Sequence, residues 1–173
     1  MSVQPVIDAF EFAESGRTLR GSAPLSEFPR LRDVLAEARG ALEYEVSGVR
    51  DDKGRQALRV RINGLLQVRC QRCLEALELP VDLDATLVLA GSMDEMEAQP
   101  LDVDGADWVL AGKDMRLGEL LEDELLLAVP YAPRHDRCGR EDGNSAAGAG
   151  TSPFVGLCGL IGDPQQSKGT KQG

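Results

Sequence analysis

The chain has 173 residues, 42% of them hydrophobic and 28% charged, and a formal net charge of −10. That length supports one domain with a real core and excludes two large ones. No run of eighteen apolar residues occurs, which excludes a membrane-spanning helix.

The opening stretch MSVQPVIDAFEFAESG holds Asp8, Glu11 and Glu14 and no Lys or Arg. It lacks the basic and apolar regions of a signal peptide, so the expectation is a cytoplasmic protein. In that compartment four cysteines point to metal binding, redox work or packing rather than a disulfide framework. Residues 1–23 are weakly patterned and read as an N-terminal extension. A single α+β domain is expected over 24–138. Within Ala23 to Arg39, the residues Leu25, Phe28, Leu31, Leu35 and Ala38 recur at spacings of three or four. That spacing predicts a helix, with Ser26 as N-cap, Pro29 in its first turn and Gly40 as its stop.

Leu42 to Val49 alternates as a half-buried strand, and RDDKGR is a turn. Leu58, Val60 and Ile62 then alternate with Arg59, Arg61 and Asn63. A shift at Asn63-Gly64 predicts a bulge, after which Leu66, Val68 and Cys70 resume. A third strand runs through Leu77, Leu79, Val81, Leu83 and on to Leu89. The cysteines of VRCQRCL therefore fall at the knuckle between two long antiparallel strands. Gly91 to Asp107 is acidic and expected to be a mobile loop, with Leu101, Val103, Trp108, Val109 and Leu110 available for short edge strands. Arg116 to Val129 has the strongest helical pattern. Leu117, Leu120, Leu121, Glu124, Leu125 and Ala128 share one side, Glu119, Glu122 and Asp123 face outward, and Pro130 ends it. Residues 139–173 are rich in Gly, Ser, Ala and Gln. They read as a disordered tail around a docking segment, Pro153 to Leu157. The predicted fold is an antiparallel sheet of long strands covered by two helices, Ser26–Arg39 and Arg116–Val129.

Charge is unevenly distributed. Val49 to Cys73 carries Arg50, Lys53, Arg55, Arg59, Arg61, Arg69 and Arg72 against Asp51 and Asp52, while Leu74 to Pro130 is strongly acidic. Two readings stand. Charges on neighbouring strands pair on an ordinary solvated surface. Alternatively the molecule is two-faced: Arg55, Arg59, Arg61, Arg69 and Arg72 meet RNA phosphates, or Glu119, Glu122 and Asp123 hold a basic protein. Few aromatics are available to stack bases, with Tyr44, Trp108 and Tyr131 the main candidates, which argues against sequence-specific reading of single strands.

Cys70-x-x-Cys73 has a downstream mate in His135-x-x-Cys138. Three thiolates and the chain's one imidazole are a donor set suited to tetrahedral Zn²⁺. Two other readings stay open: small core residues with no metal, and a thiol-disulfide pair using Cys70 and Cys73. The last is weakened because a redox C-x-x-C usually opens a helix. Cys158 has no partner in sight. No P-loop, GxGxxG, GxSxG or HExxH occurs, and the carboxylates form no distinctive pair, so no enzyme class is indicated.

VRINGLLQVRCQRCLEALELPV, then LGELLEDELLLAVPYAPRHDRC, then SPFVGL together resemble the YceD family, the large ribosomal RNA subunit accumulation proteins. The likeness runs from about Leu42 to Cys138, with the PF segment beyond. The matching motif positions are Cys70, Cys73, Glu122, Asp123, Glu124, Pro130, His135 and Cys138. In the tail, Gly156 and Gly159 depart from the short helix such sequences often carry after PF. The resemblance implies a non-enzymatic role in synthesis, processing or stability of 23S ribosomal RNA. The partner would be that RNA, a large-subunit ribosomal protein or an assembly factor, with no membrane and no small-molecule substrate. The alternative from another class is a thiol oxidoreductase.

Overall fold

In the computed structural model, which describes residues 5–98 and 107–138, the chain begins with β1 (Val6–Ile7), α1 (Ala9–Glu14) and β2 (Thr18–Pro24). Two short 3-10 turns follow, Leu25–Glu27 and Leu31–Asp33, then β3 (Leu35–Glu37), β4 (Ala41–Arg50), β5 (Gln56–Arg69) and β6 (Ala76–Ala90). The remainder is α2 (Met93–Glu97), β7 (Asp107–Leu110), β8 (Met115–Arg116) and α3 (Leu117–Ala128). Strands β2, β4, β5 and β6 form an antiparallel meander in that spatial order, and β7 joins β6 in parallel. β1 and β8 form a separate two-stranded ribbon. The fold is α+β, as the pattern of the sequence implied.

Alternation builds the sheet. In β5, Leu58, Val60, Ile62, Leu66 and Val68 are all buried on one face. Leu77, Leu79, Val81, Leu83 and Leu87 of β6 pack into the same core. The β5–β6 register is unbroken from Ala57↔Val88 to Arg69↔Ala76, so the bulge expected at Asn63-Gly64 does not exist. Gly64 instead marks a change of neighbour. Pairing with β4 stops at Glu43↔Asn63, and β3 takes over near Leu35↔Val68. A Cβ at Gly64 would collide with the Leu42 side chain, which is why that crossing takes a glycine. Gly48 is the other close approach: a Cβ there would strike the Phe12 carbonyl of α1.

The helix expected over Ser26–Arg39 is replaced by the two 3-10 turns and β3. Phe28, the residue before Pro29, is held extended at φ −102°, ψ 90°, because the proline ring clashes with a helical predecessor. Leu25, Phe28, Leu31 and Leu35 still reach the core, but through successive turns. Residues 5–23 supply β1, α1 and most of β2, and they bury Ala9, Phe12 and Ala13.

α3 forms where expected, with two departures: Ala128, expected on the apolar side, is exposed, and Glu122 is turned inward. Glu122 is only 3% exposed, so it does not face outward with Glu119 and Asp123. Its Oε1 accepts hydrogen bonds from the backbone amides of Arg30 (2.6 Å) and Leu31 (3.1 Å), and its Oε2 accepts one from Arg30 Nε (3.0 Å). The carboxylate thus satisfies amides that open the second 3-10 turn and have no partner of their own there. In the segment expected to be a loop, α2 forms with Ser92 as its N-cap. Trp108, Val109 and Leu110 lie in edge strand β7. Leu101, Val103, the tail from Gly139, the segment Pro153 to Leu157 and Cys158 lie outside the described residues. Among the described residues no helix is long and apolar enough to cross a membrane.

Candidate metal centre

The β5–β6 connection is short and bent back on itself. Cys70 N donates to Glu75 O at 2.9 Å, and Leu74 N donates to Cys70 O at 2.9 Å. Closing that turn places Leu74 at φ 65°, a left-handed conformation that costs a non-glycine residue about 1–2 kcal/mol. The Arg72 amide approaches Cys70 Sγ at 3.5 Å.

The second half arrives from α3. Val129 leaves the helix extended ahead of Pro130, as a residue before proline must. Gln71 N then donates to Pro133 O at 2.8 Å, which fastens the incoming loop to the knuckle. His135 Nε2 lies 3.1 Å from Ala76 O. A carbonyl only accepts, so Nε2 carries the proton and Nδ1 keeps its lone pair.

That lone pair faces sulfur: Cys73 Sγ and His135 Nδ1 are 3.4 Å apart, and Cys70 Sγ and Cys138 Sγ 3.8 Å. All four donor atoms lie within 4.8 Å of one another. A tetrahedral zinc with ordinary Zn–S and Zn–N bonds would set its S···S edges at about 3.8 Å and its S···N edges at about 3.6 Å. The four residues therefore fit a metal ion, with the outer hydrogen bond on His135 that such ligands usually make. Arg72 Nε donates to Cys138 Sγ at 2.9 Å. The thiols are differentiated. The Cys73 amide, opposed by burial and aided by the amides of His135 and Arg72 and by the Cys73 side chain, holds Cys70 down to about 5. At Cys73 the downward pull of the Glu75 amide is outweighed by burial and by Cys70 and Cys138, and the thiol moves up.

The other candidate residues lie elsewhere. Arg59 and Arg61 stand on the outer face of β5, but both bind Asp84, and Arg61 also reaches Glu45. Arg55 pairs with Asp51 and stacks 4.8 Å over the Trp108 ring. Arg69 and Arg72 are at the metal end. Glu119 and Asp123 are exposed on α3, where they bind Arg116 and Arg30, and Glu122 is inside. Sequence reasoning missed Arg30 as the partner of Glu122. The available signal was spacing: Gly118 and Leu125, four before and three after Glu122, are both buried, and such residues share a helix face.

Fold and site together define a small antiparallel-sheet domain, closed at one end by a Cys₃His cluster able to hold a metal ion. The chain matches the family described as large ribosomal RNA subunit accumulation protein YceD over residues 58–154, more than half its length, and it belongs to that family. The matched region contains most of β5, all of β6 and α3, and all four candidate ligands. No curated protein and no solved structure matches the chain.

Proposed function

We propose that this protein is a non-enzymatic cytoplasmic factor that supports accumulation of 23S ribosomal RNA, and that Cys70, Cys73, His135 and Cys138 hold one structural Zn²⁺. The observation carrying the metal reading is the convergence of four donors, 62 or more residues apart between the two halves, at tetrahedral spacing. Zinc would act there as a cross-link, tying the exit of α3 to the β5–β6 turn. The family description supports the RNA role and names no reaction. The functional domain is taken as residues 24–138 joined by the N-terminal elements.

The oxidoreductase alternative is less well supported. Cys70, the more acidic thiol, has no solvent exposure, whereas an attacking thiolate must be reached by its target. The turn after it is not a helix N-terminus. Of the proposed partner-binding acids, Glu119 and Asp123 are exposed but paired with Arg116 and Arg30, and Glu122 serves the fold.

Two measurements test this reading. Metal analysis by mass spectrometry on protein purified without a histidine tag is expected to find one zinc per chain, lost in Cys73→Ser. Cells lacking the protein are expected to have less 23S ribosomal RNA, restored by the wild-type chain. An undiminished RNA level would overturn the functional role, and metal-free protein with a full fold would overturn the clasp.

A further inference from the structure

Among the described residues, the arginines divide by what they touch. Arg17, Arg20, Arg30, Arg39, Arg55, Arg59, Arg61 and Arg116 each bind a carboxylate. Arg32 and Arg50 donate to backbone carbonyls, and Arg72 donates to Cys138 Sγ. Arg69, Arg134 and Arg137 are exposed and bind none of these.

Those three share one location. Arg69 precedes Cys70, Arg134 precedes His135 and Arg137 precedes Cys138. Each is rooted one residue, or about 3.8 Å of chain, from a ligand. The four donor atoms are gathered within 4.8 Å, so the cluster brings the chain at Arg69 to the same end of the molecule as the loop that carries Arg134 and Arg137. Beside them lies a cleft of about 480 Å³ lined by Leu77, Leu79, Pro130, Arg134 and the acid Asp136. Tyr131, next to Pro130, is fully exposed.

A protein of net charge −10 repels nucleic acid unless it presents a local cationic surface. Guanidinium groups free of internal carboxylates are the groups that can make phosphate contacts without first breaking an ion pair. We propose that the metal end is the RNA-contacting surface, where Arg69, Arg134 and Arg137 bind phosphates of the large-subunit RNA and Tyr131 offers a stacking face. The inference rests on the functional reading above and names its partner. It moves the contact away from Arg55, Arg59 and Arg61.

The test is filter binding of in vitro transcribed 23S ribosomal RNA to the full chain, loaded with zinc, across a salt series. Substituting Arg69→Glu, Arg134→Glu and Arg137→Glu together is expected to weaken binding by tenfold or more and to flatten the log–log salt slope by about 2–3. Tyr131→Ala is expected to weaken it with little change of slope. Arg59→Glu with Arg61→Glu is the control and leaves affinity within about twofold, since those side chains sit in internal pairs. Should the triple variant lose its metal, Arg69→Gln and Arg137→Gln carry the test singly, each expected to flatten the slope by about 0.7–0.9. Binding lost in the β5 control and kept in the metal-end variants overturns the proposal, as does a wild-type chain that restores 23S RNA in cells without binding it. The latter result leaves the functional reading standing and points to a protein partner. An unchanged RNA level in cells lacking the protein breaks the functional reading instead.

Discussion

The outer face of the sheet and the metal end are both rich in arginine, and they use it in opposite ways. On the face, Arg20, Arg59 and Arg61 interleave with Glu45 and Asp84 across β2, β4, β5 and β6. At the cluster end, Arg69, Arg134 and Arg137 make no ion pair among the described residues, around a cluster that draws its candidate ligands from both halves of the domain. A count of basic residues along the chain cannot separate these cases. Cross-strand pairing can, because antiparallel register places opposite charges side by side.

The largest expected effect breaks the metal end. With the proposed zinc in place, Cys70→Ser or chelation would remove the cross-link and leave the loop after α3 held mainly by the hydrogen bonds of Gln71 and His135. A loss of at least about 4 kcal/mol is expected, a fall in Tm of roughly 10 °C or more. Thermal unfolding with and without chelator measures it. Next comes Glu122, which holds the helix that delivers His135 and Cys138. Glu122→Ala leaves the Arg30 and Leu31 amides without their acceptor, while the Arg30 side chain keeps Asp123, and should cost about 3 kcal/mol in urea unfolding, with Glu122→Gln recovering part of it.

Leu74→Gly sharpens the comparison in the other direction. It relieves the left-handed turn of the knuckle, and after the added freedom of the unfolded chain the net gain should be under about 1 kcal/mol. Glu124 offers a pH signature. Burial first, then the charges of Asp107 and Asp123, push its carboxyl up. Its ionised form is therefore less favourable in the fold than in the unfolded chain, and stability falls as pH rises through the raised value. Glu124→Gln should be more stable than wild type at neutral pH, and the difference should close in acid below the ordinary carboxylate range.

The smallest effect belongs to the outer face. A hydrogen bond from Arg59, partly offset by burial and reinforced by Arg61, holds Asp84 down to about 2. A depressed folded value means that its contribution is present above the ordinary carboxylate range and lost as pH falls toward 2. Asp84→Asn should remove that acid-side loss and change Tm at neutral pH by no more than about 3 °C, as expected for exposed pairs.

Much of the fold and of the candidate site is legible in the sequence. Period-two alternation marked β4, β5 and β6, and period 3.6 with a terminal proline marked α3. The spacing of Cys70, Cys73, His135 and Cys138 was enough to nominate the cluster, because ligand chemistry is written in residue type. Three readings failed for nameable reasons. The 3–4 spacing of Leu25 to Leu35 arose from successive turns, because Pro29 denies Phe28 a helical backbone. The supposed bulge at Gly64 was a change of neighbouring strand, which only the pairing of β3 and β4 could reveal. Glu122, a charged residue on a helix, was read as solvated because its partners lie some ninety residues away at Arg30 and Leu31.

By itself the sequence determined the strands, the last helix and the chemical identity of the four candidate ligands, all of which follow from local periodicity and side-chain type. Tertiary structure alone decided that the four ligands meet, that Glu122 turns inward, and which arginines remain available. Each of those outcomes depends on long-range pairing, where the partner of a charge is set by strand register and loop closure and not by its neighbours in the chain.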